Sequence, residues 1–314
     1  MTVGTPVTRK TVYLPHNCDS VEVSPDLHKI FVGMYEYEES SSTRGGGFVL
    51  LNRDGEISAQ GLSTEFGALD AKWIDDTKLI LACSDGVIRT VNGENGEIVA
   101  SLPVVDNPGS NNTGNILMTI DAVESNMATI TAKGEISLIC GDRLVSKIQA
   151  HSSIVESWSC ALSPESAALV ASGSDDCTLK FWDTRSSELV LENKRSHTMG
   201  TTCIEFLDNP NEVLTGSYDD RIRRFDMRNI NQPVEERKTI GGVWRIKPFG
   251  KTGRIFVAAC YGGCTVVDMN EGFSALISDY TEHDSMAYGI GALSDNSAVS
   301  CSFYDKRVQY WCFS

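Results

Sequence analysis

Residues 282–285, Glu282-His283-Asp284-Ser285, carry the side-chain types from which a nucleophilic triad is built. A serine activated by histidine, itself oriented by a carboxylate, attacks carbonyl carbon, and a lone carboxylate or histidine can instead activate water. Adjacent residues rarely point at one another, so the string offers Asp284 and Glu282 as candidate bases and Ser285 as a candidate nucleophile, not an assembled triad. No Gly-x-Ser-x-Gly elbow occurs in the chain, which excludes the α/β-hydrolase arrangement. Histidine and aspartate also recur at longer spacing. His151 precedes Asp176 by 25 residues, His197 precedes Asp219 by 22 and His283 precedes Asp305 by 22. A relay is needed once, whereas a pair that repeats is expected to hold structure together.

The repeat that carries these pairs extends over the chain. Seven segments close a strand after a turn: they end at Asn52, Asn92, Cys140, Asp183, Asp226, Asp268 and Cys312, at intervals of 40, 48, 43, 43, 42 and 44 residues. Four-stranded propeller blades recur every ~40–45 residues. Seven residues before the closing position, four segments carry aspartate: Asp85, Asp176, Asp219 and Asp305. Aspartate there accepts from turn N–H groups and tolerates turn dihedrals. The seventh segment ends next to Ser314, leaving its blade one strand short. The strand-like residues 10–14, Lys-Thr-Val-Tyr-Leu, are expected to supply the missing outer strand. The expected fold is thus all-β, a seven-bladed propeller forming one domain over 1–314. Residues 36–47 and 106–115 interrupt the rhythm and are expected to be loops.

Composition fits a globular chain, with 41% hydrophobic and 22% charged residues. A net charge of −15 repels phosphate backbones and anionic membranes, which argues against nucleic acid and membrane as partners. No apolar run approaches the ~18 residues that span a bilayer, and no apolar leader opens the chain, so a cytoplasmic location is expected. Most of the ten cysteines lie in apolar segments, and Cys260-x3-Cys264 has no second ligand pair, so no metal site is expected.

A histidine, a hairpin, a turn aspartate and a closing Trp-Asp or Phe-Asp together resemble the WD40 repeat, in which His and Asp brace each blade. The second half is more specific. "GSYDDRIRRFDMRNINQPV" (216–234), "GGVWRIKPF" (241–249), "EHDSMAYG" (282–289) and "SCSFYDKRVQYW" (300–311), with "DDCTLKFWDTR", resemble the diphthine methylesterase family, WD-repeat proteins of diphthamide biosynthesis. The resemblance is detailed over residues ~170–314 and architectural before that. It implies hydrolysis of the methyl ester of methylated diphthine on translation elongation factor 2. The products are methanol and the free carboxylate, and the substrate also carries a trimethylammonium group. No cofactor is implied, and the expected partner is elongation factor 2, met by a monomer.

Propeller geometry suggests where a site lies. Tyr218, Trp244, Tyr288 and Tyr304 fall at equivalent ends of blades five to seven and are expected to face one mouth of the ring. Aromatic faces attract quaternary ammonium, by ~2 kcal/mol or more when desolvated. Arg245 is expected beside them, steadying the oxyanion or the carboxylate product. A non-catalytic alternative rests on "FWDTR" (181–185) and "FDMR" (225–228), which resemble the WDxR boxes of cullin-type ubiquitin-ligase substrate receptors. Those arginines could equally pair with local carboxylates.

Overall fold

The seven closing segments are the third strands of seven four-stranded antiparallel sheets. The computed structural model describes residues 4–109, 113–165, 167–270, 272–273 and 275–314, and among these the sheets form a propeller. The third strands are Thr43–Asn52, Val87–Asn92, Glu135–Cys140, Leu179–Asp183, Arg221–Asp226, Cys264–Asp268 and Arg307–Phe313. The inner strands, one per blade around the axis, are Cys18–Val23, Ala68–Trp73, Leu117–Val123, Ser157–Leu162, Thr201–Phe206, Arg245–Phe249 and Ala287–Ser294. Each inner strand touches its two neighbours, and that of blade 1 touches that of blade 7, so the ring is closed.

Closure uses the N-terminal strand. Pro6–Tyr13 pairs antiparallel with Arg307–Phe313, from Pro6 opposite Phe313 to Tyr13 opposite Arg307, and completes blade 7. The strand starts four residues earlier than the composition of 10–14 indicates. Leu14 follows it into the core, and Gly4 donates its N–H to Ile277 on the outer strand of blade 6 at 2.7 Å.

The apolar faces of the blades pack against each other in seven clusters, one at each blade–blade interface. Val21, Val32 and Val49 of blade 1, for example, meet Val299, Val308 and Tyr310 of blade 7. A fully buried side chain of this size contributes roughly 1.5–3 kcal/mol. No blade can bury both faces alone, so the stability of each depends on the next. Six of the seven buried cysteines, all but Cys260, belong to these interfaces; all ten are free, and burial pushes the Cys83 and Cys203 thiols up to about 12, which leaves them inert.

One loop expectation is corrected. Most of 36–47 is strand: Lys29–Glu38 and Thr43–Asn52 form one long hairpin that pairs from Lys29 opposite Asn52 to Glu38 opposite Thr43. Alternation in Tyr35-Glu36-Tyr37-Glu38 carries the pleat outward, and Arg44 lies over the Tyr37 ring at 4.5 Å. The glycine run has a local cause: Gly47 sits at φ +79°, where a Cβ would fall 2.0 Å from the Gly61 carbonyl oxygen. Of the other loop, 106–115, residues 110–112 lie outside the described residues; Thr113–Asn115 form a 3₁₀ turn.

Candidate functional site at the channel mouth

The inner strands share an irregularity that builds the mouth. In six blades the register with the second strand skips one residue near the strand's start: Asp19, Leu69, Met118, Trp158, Thr202 and Tyr288. A skipped residue leaves the ladder and its side chain is re-aimed. In blade 6 the equivalent position is Trp244, whose N–H bonds the Ala258 carbonyl just ahead of the paired strand. One residue from each blade therefore rings the axis at a single level.

Aromatic rings from this level and from the turns above it form a continuous arc. Trp158 meets Tyr218 at 6.0 Å between centroids and Trp244 at 5.4 Å. Tyr218 meets Trp244 at 5.7 Å, and Trp244 stacks on Tyr288 at 4.5 Å with 21° between planes. Tyr288 contacts Phe303 at 5.2 Å, which contacts Tyr304 at 4.9 Å. The structure thus brings together the four aromatics singled out in the sequence and adds Trp158 and Phe303, which sequence reasoning missed. Trp244 is the buried centre of the arc, only 7% exposed, and its indole N–H has no acceptor among the described residues. Trp158, Tyr218 and Tyr288 are half-buried, and Tyr304 is open. The Trp158 indole donates to Asp175 at 2.6 Å, which fixes its ring.

Below the arc the channel is filled with charge. Arg245 is not at the mouth beside Trp244. As the next residue along the inner strand it points into the channel, where it pairs across the ring with Asp70 at 3.3 Å. Strand alternation separates neighbours, and a buried guanidinium needs a carboxylate. Deeper still, Glu22, Lys72, Asp121, Glu205 and Lys247 pair around the axis: Lys72 with Asp121 at 2.8 Å, and Lys247 with both Glu22 and Glu205. A small polar cavity of about 30 Å³ remains, lined among others by Asp70, Lys72, Asp121, Arg245 and Lys247.

The Glu-His-Asp-Ser string does not converge. Asp284 turns outward to the Arg307 guanidinium, the Ser285 hydroxyl accepts the N–H of Tyr304 at 3.2 Å, and Glu282 stands in solvent. His283 bonds Ser300 through Nε2 at 2.7 Å, with Nδ1 unpaired, and burial lowers its pKa to about 4.

The three His–Asp pairs differ. In blade 4, Trp182 donates to Ser172, Ser172 donates to His151 and His151 donates from Nδ1 to Asp176 at 2.8 Å, an unbroken relay of hydrogen bonds. In blade 5 the direct bond is absent. Asp219 takes a bidentate fork from Arg223 at 3.0 and 2.8 Å, while His197 bonds Thr215 only, and burial lowers its pKa to about 3. The blade 4 residue in the place of Arg223 is Lys180, a point charge 3.7 Å from Asp176, which leaves the carboxylate free for histidine. In blade 7, Asp305 is taken by Ser302, by the N–H of Asp284 and by Arg307 rather than by His283. His151→Ala strips partners from Ser172 and Asp176 and is expected to destabilise by ~1–3 kcal/mol. His197→Ala is expected to cost less, since Asp219 keeps its fork. Urea unfolding of both variants checks this ordering.

The box arginines pair locally, Arg185 with Asp183 at 2.7 Å and Arg228 with Asp226 at 2.6 Å. A cavity of about 770 Å³ lies in a groove between blades 2 and 3, remote from the aromatic arc.

Ring, channel and blade relay define a WD40-repeat propeller. A family described as "WD domain, G-beta repeat" matches residues 142–183, the stretch that includes His151, Ser172, Asp176 and Trp182. By sequence the chain is similar to proteins named for diphthine. It is 26% identical to "Diphthine methyltransferase" of Schizosaccharomyces pombe, over 94% of this chain and 93% of that protein. It is 28% identical to "Diphthine methyltransferase homolog" of Dictyostelium discoideum, over 98% and 99%. The human "Diphthine methyltransferase" is 34% identical over 46% of this chain and 33% of its own length. A chain in "Crystal Structure of Mitotic Checkpoint Complex" superimposes with a TM-score of 0.79 over 98% of this chain and 96% of that one; at 14% identity this likeness concerns the fold alone.

Proposed function

We propose that this protein hydrolyses the methyl ester of methylated diphthine on elongation factor 2, releasing methanol and diphthine. The observation that carries the reading is the aromatic arc at the channel mouth, in a chain related end to end to proteins named for diphthine. Trp158, Tyr218 and Tyr288 offer π-density to a trimethylammonium group. A modified histidine on a protein substrate suits an open mouth better than a closed pocket. A cytoplasmic location goes with this proposal.

The assay uses purified chain and elongation factor 2 bearing methylated diphthine, without any methyl donor. Methanol release with loss of one methyl from the substrate is the expected result. Methyl gain that requires an added donor makes the chain a transferase. Tight binding without turnover makes it a scaffold.

A further inference from the structure

Asp19 stands apart from every other carboxylate in the channel. It is the skipped residue of blade 1 and so belongs to the same ring level as Trp158, Trp244 and Tyr288. Blade 1 adjoins blade 7, which puts Asp19 beside Tyr288 of the aromatic arc, near enough for its charge to act on the phenol. The side chain is 6% exposed, yet no hydrogen bond to it exists among the described residues. Its oxygens are not among the fully buried polar atoms that lack a partner, so they keep contact with solvent. Its counterparts are accounted for: Asp70 holds Arg245 and the N–H of Ile120, and Asp121 holds Lys72 and the N–H of Leu162.

We infer that Asp19 is the general base of the hydrolysis, taking a proton from the water that attacks the ester carbonyl. The inference rests on the esterase reading above. With the quaternary ammonium held on the arc, the adjacent ester carbonyl comes to the Asp19 end of the ring. The attacking water enters from the open mouth, since the 30 Å³ cavity is lined by blades 2 to 6 and does not border Asp19. The water oxygen bonds to the carbonyl carbon as its proton passes to Asp19. The tetrahedral intermediate then expels the methoxy group, which leaves as methanol with the proton returned by Asp19. The carboxylic acid product loses its own proton to solvent, so Asp19 is regenerated.

The surroundings suit that task. Burial pushes Asp19 up to about 7, opposed by Arg245 and reinforced by Asp70. Tyr288 from blade 7, Tyr35 on the second strand of blade 1 and the thiols of Cys18 and Cys301 are the other titratable groups near it. A base with its pKa near the working pH is both available and strong enough to accept a proton.

The test compares wild type, Asp19→Asn and Asp19→Glu on methylated elongation factor 2, with melting temperatures alongside. Asp19→Asn is expected to lower kcat by ~100-fold or more, with KM changed much less, and Asp19→Glu to keep part of the rate. In the wild type, kcat/KM is expected to rise with pH through about 7 and level off, and the residual activity of Asp19→Asn to lose that rise. Wild-type inactivity overturns the esterase reading itself. An active wild type whose rate is flat between about pH 5.5 and 8.5 overturns the Asp19 assignment alone, whether or not the asparagine variant folds. So does a folded Asp19→Asn protein with wild-type turnover.

Discussion

Removing residues 1–15 is expected to lower the melting temperature by on the order of 10 °C, in one cooperative transition. The segment contributes the whole outer strand of blade 7, the Thr8 hydroxyl bonded to Tyr280 at 2.8 Å, and Leu14 in the cluster between blades 7 and 1. Burial of Leu14 alone contributes ~2 kcal/mol, and each lost internal hydrogen bond ~1 kcal/mol. Several such terms together correspond to a shift of that size in a chain of this length. The loss also bares the edge of Arg307–Phe313, a template for pairing between molecules. Differential scanning calorimetry reads the first effect and light scattering the second. A peptide of residues 1–15 added in trans should restore part of the stability by strand addition. A truncated chain that melts within about 2 °C of the full one, and stays monodisperse, removes the strand from its closing role.

Asp19→Asn is expected to make the protein more stable above neutral pH, by on the order of 4 kcal/mol. The carboxyl rises from its ordinary 3.8 to about 7 on folding, so the folded chain binds that proton more tightly than the unfolded one. Between those values, raising the pH removes a proton that stabilised the folded state, and stability falls. Below about pH 4 both states hold the proton, and the substitution should matter little. Other carboxylates also shift on folding, with Glu22 and Glu205 raised by burial and Asp219 lowered by its Arg223 fork, against its burial. The measurement is therefore the difference between wild type and variant in chemical denaturation at several pH values. It should open from near zero at pH 4 to its full size at pH 8. A difference that is constant with pH, or an asparagine variant that is less stable at pH 8, places Asp19 in a satisfied environment. A gain in stability with a loss of turnover is the pattern expected where a catalytic group is held in a setting it does not favour.

The propeller was legible because its signal is periodic. Asp85, Asp176, Asp219 and Asp305 stand at one offset from the end of a third strand, and that offset survives even where Trp-Asp is replaced by Phe225-Asp226 or Trp311-Cys312. The aromatic mouth was legible in part for the same reason, since Tyr218 and Tyr304 precede turn aspartates. Trp158 was not, because its place at the mouth depends on a skipped register that leaves no mark in the alternation of "ESWSCAL". Asp19 was hidden by topology: the first of two acids in "NCDSVEV", it becomes buried only when blade 7 closes against blade 1, some 270 residues later. Arg245 was misplaced because Trp244 and Arg245 were given one direction, whereas the strand sends them to different levels. The His197–Asp219 bond was expected from spacing, and spacing carries no information about Arg223 competing for the same oxygens.

The ring of skipped residues also bears on how such a protein diverges. Each of these side chains stands outside the ladder of its own blade, so exchanging one disturbs little of the pairing that holds the blade together. The aromatic members, Trp158, Trp244 and Tyr288, bound the mouth, so exchanging one of them alters what the mouth can hold. Met118 instead packs against the cluster between blades 3 and 4, and the Thr202 hydroxyl donates to the Val243 carbonyl of the next blade. One structural position thus serves ligand choice in some blades and the bond between blades in others.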